Sequence, residues 1–339
     1  MRRCLQLAQN GVGYVAPNPM VGAVIVHNDI IIGEGFHRRY GDAHAEPNAI
    51  NSVKDKNLLT KSTLYVNLEP CSHYGKTPPC ADFIIENKIA KVVIGTLDPN
   101  PKVSGRGVEL LRKTGVEVVV GVLEKDCREL NKRFIIFQEQ KRPYVLLKWA
   151  QTKDCFVDKK RTDRTEEPLL ISNAVTMQLT HKMRAENQAI LVGANTVLLD
   201  NPSLTVRNWS GKSPVRVAID RLGRIPSDFN LFDGSIPTLV FSEKFRENEH
   251  NLEFIKIIFD EHVLKNILKI LFEQNINSVM VEGGASILNS FIEAGLWDEA
   301  NIEISPVRIG DGVNAPSLNR LPISVKNYEG HEWMFFENR

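Results

Sequence analysis

HAEPNAI at 44–50 and LEPCSHYGKTPPC at 68–80 decide how the first half of the chain reads. Glu46 follows His44 by two residues, and Cys71 and Cys80 bracket a loop that contains glycine and proline. One imidazole and two thiolates leave the fourth position of a tetrahedral metal open to water, the donor set of a catalytic rather than a structural zinc. Zinc makes such a water acidic enough to yield hydroxide near neutrality. A carboxylate that is not a ligand, here Glu46, can take the proton and return it to a ring nitrogen and a leaving amine. This is the logic of the base-deaminase signature H-x-E…P-C-x-x-C, although here eight residues separate the cysteines instead of two. Each piece alone has an inert reading: H-x-E arises by chance, and a cysteine pair can be buried and unreactive. In combination, at consecutive strand ends and with Pro70 before Cys71, they point to zinc. His73 competes as a fourth ligand; otherwise it faces substrate with Lys76, as a positive rim for an anionic group. Read blandly, Lys76 is a solvated loop lysine.

Outward from this motif, helical and strand patterns alternate. Residues 2–10 read as a helix ended by Gly11, and Ala16-Pro17-Asn18-Pro19 as a rigid loop. VGAVIVHND (21–29) and IIIGEG (30–35) are strand-like runs joined at Asn28-Asp29, a type I′ hairpin candidate. A helix over 45–53, strands at 63–69, 91–95 and 116–121, and helices at 81–87 and 107–113 complete the set. This predicts a largely parallel sheet covered on both faces, with both halves of the zinc motif at strand ends, where the pocket of an open α/β sheet lies. The charge-rich stretch EKDCRELNKRFIIFQEQKR (124–142) stops at Pro143. We therefore expect a linker over 126–143, between a domain at 1–125 and a second at 144–339. The second reads as α/β again. Its strands fall at 144–150, 169–172, 189–193, 215–220, 238–241, 255–259 and 278–284, with a last one near 299–304, and its helices at 173–186, 261–273 and 285–294.

The chain's 339 residues exceed the usual single core, in keeping with two domains. Its 42 basic and 41 acidic residues leave a formal charge of +1, no global field for nucleic acid or membrane. An anionic ligand must then be held by local basic groups. Five cysteines, odd in number and sparse, are not a disulfide framework and suggest a reducing compartment. MRRCLQLAQNG lacks a leader-like apolar segment, and no run approaches a membrane span. The expectation is a cytoplasmic protein.

PNPMVGAVIV, GEGFHRRYGDAHAEPNAI and EPCSHYGKTPPCADFI resemble closely the deaminase half of the RibD family of bifunctional riboflavin-biosynthesis enzymes. The resemblance covers essentially residues 1–125, and the wide cysteine spacing is normal for that family. It implies a cytidine-deaminase-like three-layer α/β/α domain. His44, Cys71 and Cys80 would hold Zn2+, Glu46 would shuttle protons, Asn18 would contact the pyrimidine, and His73 and Lys76 would hold the ribose phosphate. The implied reaction is hydrolytic deamination of 2,5-diamino-6-ribosylamino-4(3H)-pyrimidinone 5′-phosphate to 5-amino-6-ribosylaminouracil 5′-phosphate and ammonia.

The second domain has no G-x-G-x-x-G. Its one glycine pair, in MVEGGASIL (280–288), lies between a strand and a helix, a turn that can present N–H groups to an anion or merely pack tightly. Glu282 ends an otherwise apolar strand, which makes a ligand contact plausible, and Arg184 and Arg207 are candidates for a phosphate clamp. AILVGANTVLLDNPSLTVR (189–207) is similar to the family's reductase half, which has a dihydrofolate-reductase-like α/β fold and uses NADPH. Carried over by that resemblance, Lys148, Ser172, Arg184, Arg207 and Glu282 would contact substrate. Ala150, Thr196, Asp200 and Gly284 would contact the cofactor. The implied reaction delivers hydride to C1′ of the opened ribose, while a nearby donor protonates the oxygen, giving 5-amino-6-ribitylaminouracil 5′-phosphate. The chain departs from the family pattern at Cys155 (for glycine), Leu170 (for tryptophan) and Gln188 (for aspartate). Implied partners are the phosphorylated pyrimidine and further copies of the chain, with neither nucleic acid nor membrane.

Two other classes compete. A nucleoside or tRNA-type zinc deaminase with a non-catalytic C-terminal domain fits less well, because no basic patch with interleaved aromatics is visible. A structural zinc module needs a fourth protein ligand and has no use for Glu46.

Overall fold

The computed structural model describes residues 1–72, 78–100 and 104–338 and divides into two compact units, Met1–Lys141 and Arg142–Arg339. His73 and Lys76 lie outside the described residues.

The first unit begins with α1 (Arg2–Gln9), β1 (Gly22–His27), β2 (Ile30–Phe36), α2 (Ala45–Ser52) and β3 (Thr63–Leu68). It continues with α3 (Cys80–Glu86), β4 (Lys91–Thr96), α4 (Arg106–Lys113), β5 (Glu117–Val120), α5 (Glu124–Leu130) and α6 (Lys132–Gln140). The sheet order is β2-β1-β3-β4-β5, with β3, β4 and β5 parallel and β1 antiparallel to both neighbours. Only that half of the sheet is parallel, because β1 and β2 are joined directly as a hairpin. Its turn residues Asn28 and Asp29 have φ of 46° and 62°, the left-handed pair that a type I′ turn requires. Helices α2, α3 and α4 cover one face over a core of Ile25, Ile50, Leu64, Ile84, Ile94 and Leu111. Helices α1 and α5 lie against the other face, where Cys4, Leu7 and Val24 pack. Gly35 lets α2 rest on the β2 backbone: a Cβ there would stand 2.3 Å from the Ala49 nitrogen. This close seat brings the start of α2, with His44 and Glu46, to the rim of the sheet.

The stretch expected as a linker at 126–143 is instead mostly α5 and α6 of the first unit, and the division falls at 141/142. Charge on the outer face hid an apolar inner face of Cys127, Phe134, Ile135 and Phe137, all buried.

The second unit opens with β6 (Tyr144–Gln151), β7 (Phe156–Asp158), α7 (Ala174–Glu186), β8 (Ala189–Gly193), α8 (Ala194–Asp200) and β9 (Val215–Ile219). Then come β10 (Thr238–Ser242), β11 (Leu252–Lys256), α9 (Val263–Glu273), β12 (Ser278–Glu282), α10 (Ala285–Glu293) and β13 (Glu299–Ile304). It closes with β14 (Val313–Asn314), β15 (Ser324–Tyr328) and β16 (His331–Glu337). Nine strands form one sheet in the order β11-β10-β9-β8-β12-β6-β13-β16-β15; all are parallel as far as β13, and β16 and β15 follow antiparallel. Strand alternation divides β6: Val145, Leu147 and Trp149 enter one core with α9 and α10, while Leu146 enters the other. Lys148 therefore projects on the Leu146 face, beneath α7.

Three expectations change here. LLIS (169–172) is not a strand: it follows a loop tied down by Arg161, and Leu170 is 75% exposed. The strand expected at 255–259 pairs as Leu252–Lys256 instead. Finally, β13 is not the last strand, since β15 and β16 extend the sheet beyond it.

Candidate active sites

His44 occupies the N-cap position of α2, Glu46 its first turn, and Cys80 the first turn of α3. Cys71 follows β3 and is turned toward α3: the Cys80 amide donates to its sulfur at 3.4 Å, and the Ala81 amide to its carbonyl at 3.1 Å. His44 Nδ1 stands 3.3 Å from Cys80 Sγ and 3.6 Å from Cys71 Sγ, and the three donor atoms lie within 4.8 Å of one another. A hydrogen bond from Cys80 holds the Cys71 thiol far below its usual range, at about 4; the same bond, with burial, raises Cys80. The hydrogen bond to Cys71 raises His44. Such a set is poised to become two thiolates and an imidazole around a cation.

Glu46 is 3% exposed, and its Oε2 is buried with no hydrogen-bond partner. Burial, then the neighbouring Cys71 charge, pushes its carboxyl up to about 7. A buried orphan oxygen is costly unless a ligand completes it. Three soft and imidazole donors with an unsatisfied carboxylate beside them fit a zinc ion that keeps one position open.

His44, Glu46 and Cys71 line a cavity of about 290 Å³, together with Asn18, His37, Phe134 and Gln138. His37, which sequence reasoning missed, is 2% exposed; its Nδ1–H donates to the Ala43 carbonyl at 3.1 Å, so Nε2 accepts from Asn18 Nδ2 at 3.2 Å. Burial lowers its pKa, in keeping with a neutral ring. Asn18 is thereby turned so that its oxygen is left for a ligand. The loop carrying it is pinned at Met20 by Asn131, which accepts from the amide at 2.8 Å and donates to the carbonyl at 2.9 Å, and by Asn67, which donates to the same carbonyl. Glu69 secures the opposite wall by accepting from the amides of Asp98, Gly105, Gly107 and Val108.

In the second unit, Lys148, Arg184 and Glu282 come together on one sheet face. Arg184 does not stand free as a phosphate clamp: it is paired with Glu282 through Nε at 2.9 Å and Nη2 at 2.6 Å, and it also donates to the Thr205 carbonyl. Burial works against ionisation of Glu282, but the Arg184 charge and hydrogen bonds outweigh it and hold the carboxyl below its ordinary value. Lys148 is 5% exposed; burial lowers its pKa, while Glu282 and Glu303 act to raise it. The Ser172 hydroxyl, expected on substrate, donates to Glu303 Oε2 at 2.6 Å. Arg207 is exposed, bonded to Thr205 Oγ1 at 3.0 Å. Ala150 lies beside Glu303 across the β6–β13 ladder. Thr196 and Gly284 meet at a cavity of about 410 Å³ that Arg221 and Arg224 also line. Asp200 is engaged by the buried Arg161, which also bridges Asp158. Cys155 has φ 65°, the left-handed conformation that suits the glycine usual at this position.

Among the described residues, no helix is long and apolar enough to cross a membrane. Residues 1–96 match the cytidine and deoxycytidylate deaminase zinc-binding region, and residues 143–327 match the RibD C-terminal domain. Riboflavin biosynthesis protein RibD of Aquifex aeolicus is 42% identical, over 94% of this chain and 89% of that protein. RibD of Bacillus amyloliquefaciens is also 42% identical, over 94% and 86%. The crystal structure of a diaminohydroxyphosphoribosylaminopyrimidine deaminase/5-amino-6-(5-phosphoribosylamino)uracil reductase from Thermotoga maritima is 39% identical, with a TM-score of 0.88 over 99% of this chain and 97% of that one. On these matches, and on the deaminase-type metal site followed by a second α/β unit, the chain belongs to the RibD family of bifunctional riboflavin-biosynthesis deaminase/reductases.

Proposed function

We propose that the first unit converts the ring amino group of 2,5-diamino-6-ribosylamino-4(3H)-pyrimidinone 5′-phosphate to an oxo group, releasing ammonia, and that the second unit reduces the ribosyl chain with NADPH. The observation that carries the deaminase half is the orphaned Glu46 oxygen beside three convergent metal donors. His44, Cys71 and Cys80 hold the zinc, and zinc there supplies the Lewis acidity that lets water attack near neutral pH. Glu46 takes the proton of the attacking water and delivers it to the departing amine, a role suited to a buried carboxyl whose Oε2 no protein group occupies. Asn18, oriented by His37, holds the pyrimidine edge. A structural zinc would leave the buried Glu46 oxygen without a purpose.

In the reductase half, bound NADPH supplies hydride. Lys148 is the donor to the sugar oxygen, Glu282 and Arg184 shape the substrate side, and Thr196 with Gly284 flanks the cofactor. The buried Lys148, in register with Glu282 at the C-terminal end of β12, where ligands bind in open α/β sheets, supports this reading. The test supplies the diamino substrate to zinc-loaded protein with and without NADPH and follows products by mass. Amino-to-oxo exchange alone is expected without NADPH, and a further hydride and proton with it. A product that stops at the ribosylaminouracil with NADPH present overturns the reductase assignment.

A further inference from the structure

On β13 lies a buried carboxylate with two dedicated donors, one of them from β16. Glu303 is fully buried; Ser172 Oγ donates to its Oε2 at 2.6 Å, and His331 Nδ1 donates to its Oε1 at 2.8 Å. It shares a sheet face with Lys148: Lys148 stands opposite Asn301 and Ala150 opposite Glu303 across the β6–β13 ladder. The Lys148 ammonium has no hydrogen-bond acceptor among the described residues. It stands over the face of Trp333, whose ring centroid is 5.9 Å away, and Trp333 is itself fixed by its Nε1–H bond to Asn301 at 3.1 Å.

We propose that Glu303 is the positioning residue of the reductase half: it is the counter-ion that keeps Lys148 a charged proton donor, and Ser172 and His331 hold it in place. This rests on the reading of Lys148 as the donor. The charge balance of the pocket carries the argument. The groups facing Lys148 are Glu282 from β12, Glu303 from β13 and Arg184 from α7, with His331 from β16 behind Glu303 and His181 from α7 behind Arg184. Arg184 and Glu282 neutralise one another through their paired hydrogen bonds. Among the described residues, Glu303, on the same sheet face, is then the anion left facing the Lys148 cation. Burying an ammonium without such an anion would favour its neutral form. In the reaction, C1′ gains hydride from the reduced nicotinamide as its bond to the sugar oxygen breaks. That oxygen takes its proton from Lys148, which ends as the neutral amine, while the nicotinamide is oxidised. A donor already neutral cannot do this.

The test measures the pH profile of reduction in Glu303→Gln, with the thermal melting of the second unit as the control for its folding. Loss of the anion is expected to move the alkaline limb of kcat downward by a unit or more, so that reduction falls about tenfold or more at mildly alkaline pH and less in acid. An unshifted limb with uniformly lower activity overturns the proposal and leaves Glu303 a structural group. Should Glu303→Gln fail to fold, Ser172→Ala decides. A several-fold fall in kcat with KM unchanged supports positioning through Glu303. A raised KM with kcat unchanged means that Ser172 touches substrate, and overturns it. Lys148→Met separates the two layers: if it retains reduction, the donor reading fails and this proposal with it. If it loses reduction while Glu303→Gln keeps its profile, only the role of Glu303 fails.

Discussion

Glu46, buried at the start of α2, and Glu282, half-buried at the end of β12, are carboxylates that their surroundings set to opposite tasks. Glu46 has an empty lone pair beside convergent metal donors, and burial raises it toward neutrality. Glu46→Gln keeps size and burial but removes the proton carrier. We expect deamination to fall by about 10²–10⁴-fold, with zinc content unchanged by metal analysis and reduction intact. Loss of zinc together with activity would instead make Glu46 part of metal binding. Glu282 is held low by Arg184 in spite of its burial. Since its folded pKa lies below the unfolded one, its stabilisation is complete above the ordinary carboxylate range and is lost as pH falls through that range toward the lower folded value. Melting of the second unit, followed from neutral to about pH 3, should therefore show an acid-side decline that Glu282→Gln flattens. The same substitution leaves Arg184 unpaired in the interior and should cost about 3–5 kcal/mol near neutrality. An unchanged melting temperature at neutral pH would contradict the pairing.

At the scale of elements, the helices after β5 are part of the deaminase site. Through Asn131, between α5 and α6, the chain grips both backbone polar groups of Met20, and Phe134 and Gln138 of α6 wall the cavity. Asn131→Ala leaves the Met20 amide without its acceptor, a loss of about 1–3 kcal/mol. Asn18 should then wander, so KM for the deaminase substrate should rise while bound zinc stays constant; an unchanged KM would detach Asn131 from the site. Composition concealed this role. In EKDCRELNKRFIIFQEQKR the charges are the solvated face, and the buried Cys127, Phe134, Ile135 and Phe137 are too few to dominate a composition reading. LLIS misled in the opposite direction, since a short apolar run found no ladder partner, and Leu170 projects into solvent. Strand propensity describes a fit to a pleated surface, and none was offered there.

For the whole molecule, each unit has its own sheet and core, and each carries its own chemistry. A zinc chelator should abolish deamination and lower the melting temperature of the first unit, while the thermal transition that tracks loss of reduction stays where it was. A joint shift of both would show that the two units unfold as one. The sequence alone determined the three convergent donors His44, Cys71 and Cys80, the hairpin at Asn28-Asp29 and the two α/β units. Those signals are local: His44 and Glu46 share a helix start, Cys71 and Cys80 a single loop, and alternation is written along each strand. Only the tertiary structure decided that His37 orients Asn18, that Arg184 is spent on Glu282 and Asp200 on Arg161, and that Ser172 serves Glu303. Those partners lie 19, 98, 39 and 131 residues apart. Their meeting depends on strand order and on which face each residue takes. No short motif carries that information, because a one-residue change of register sends the same side chain to the other side of the sheet.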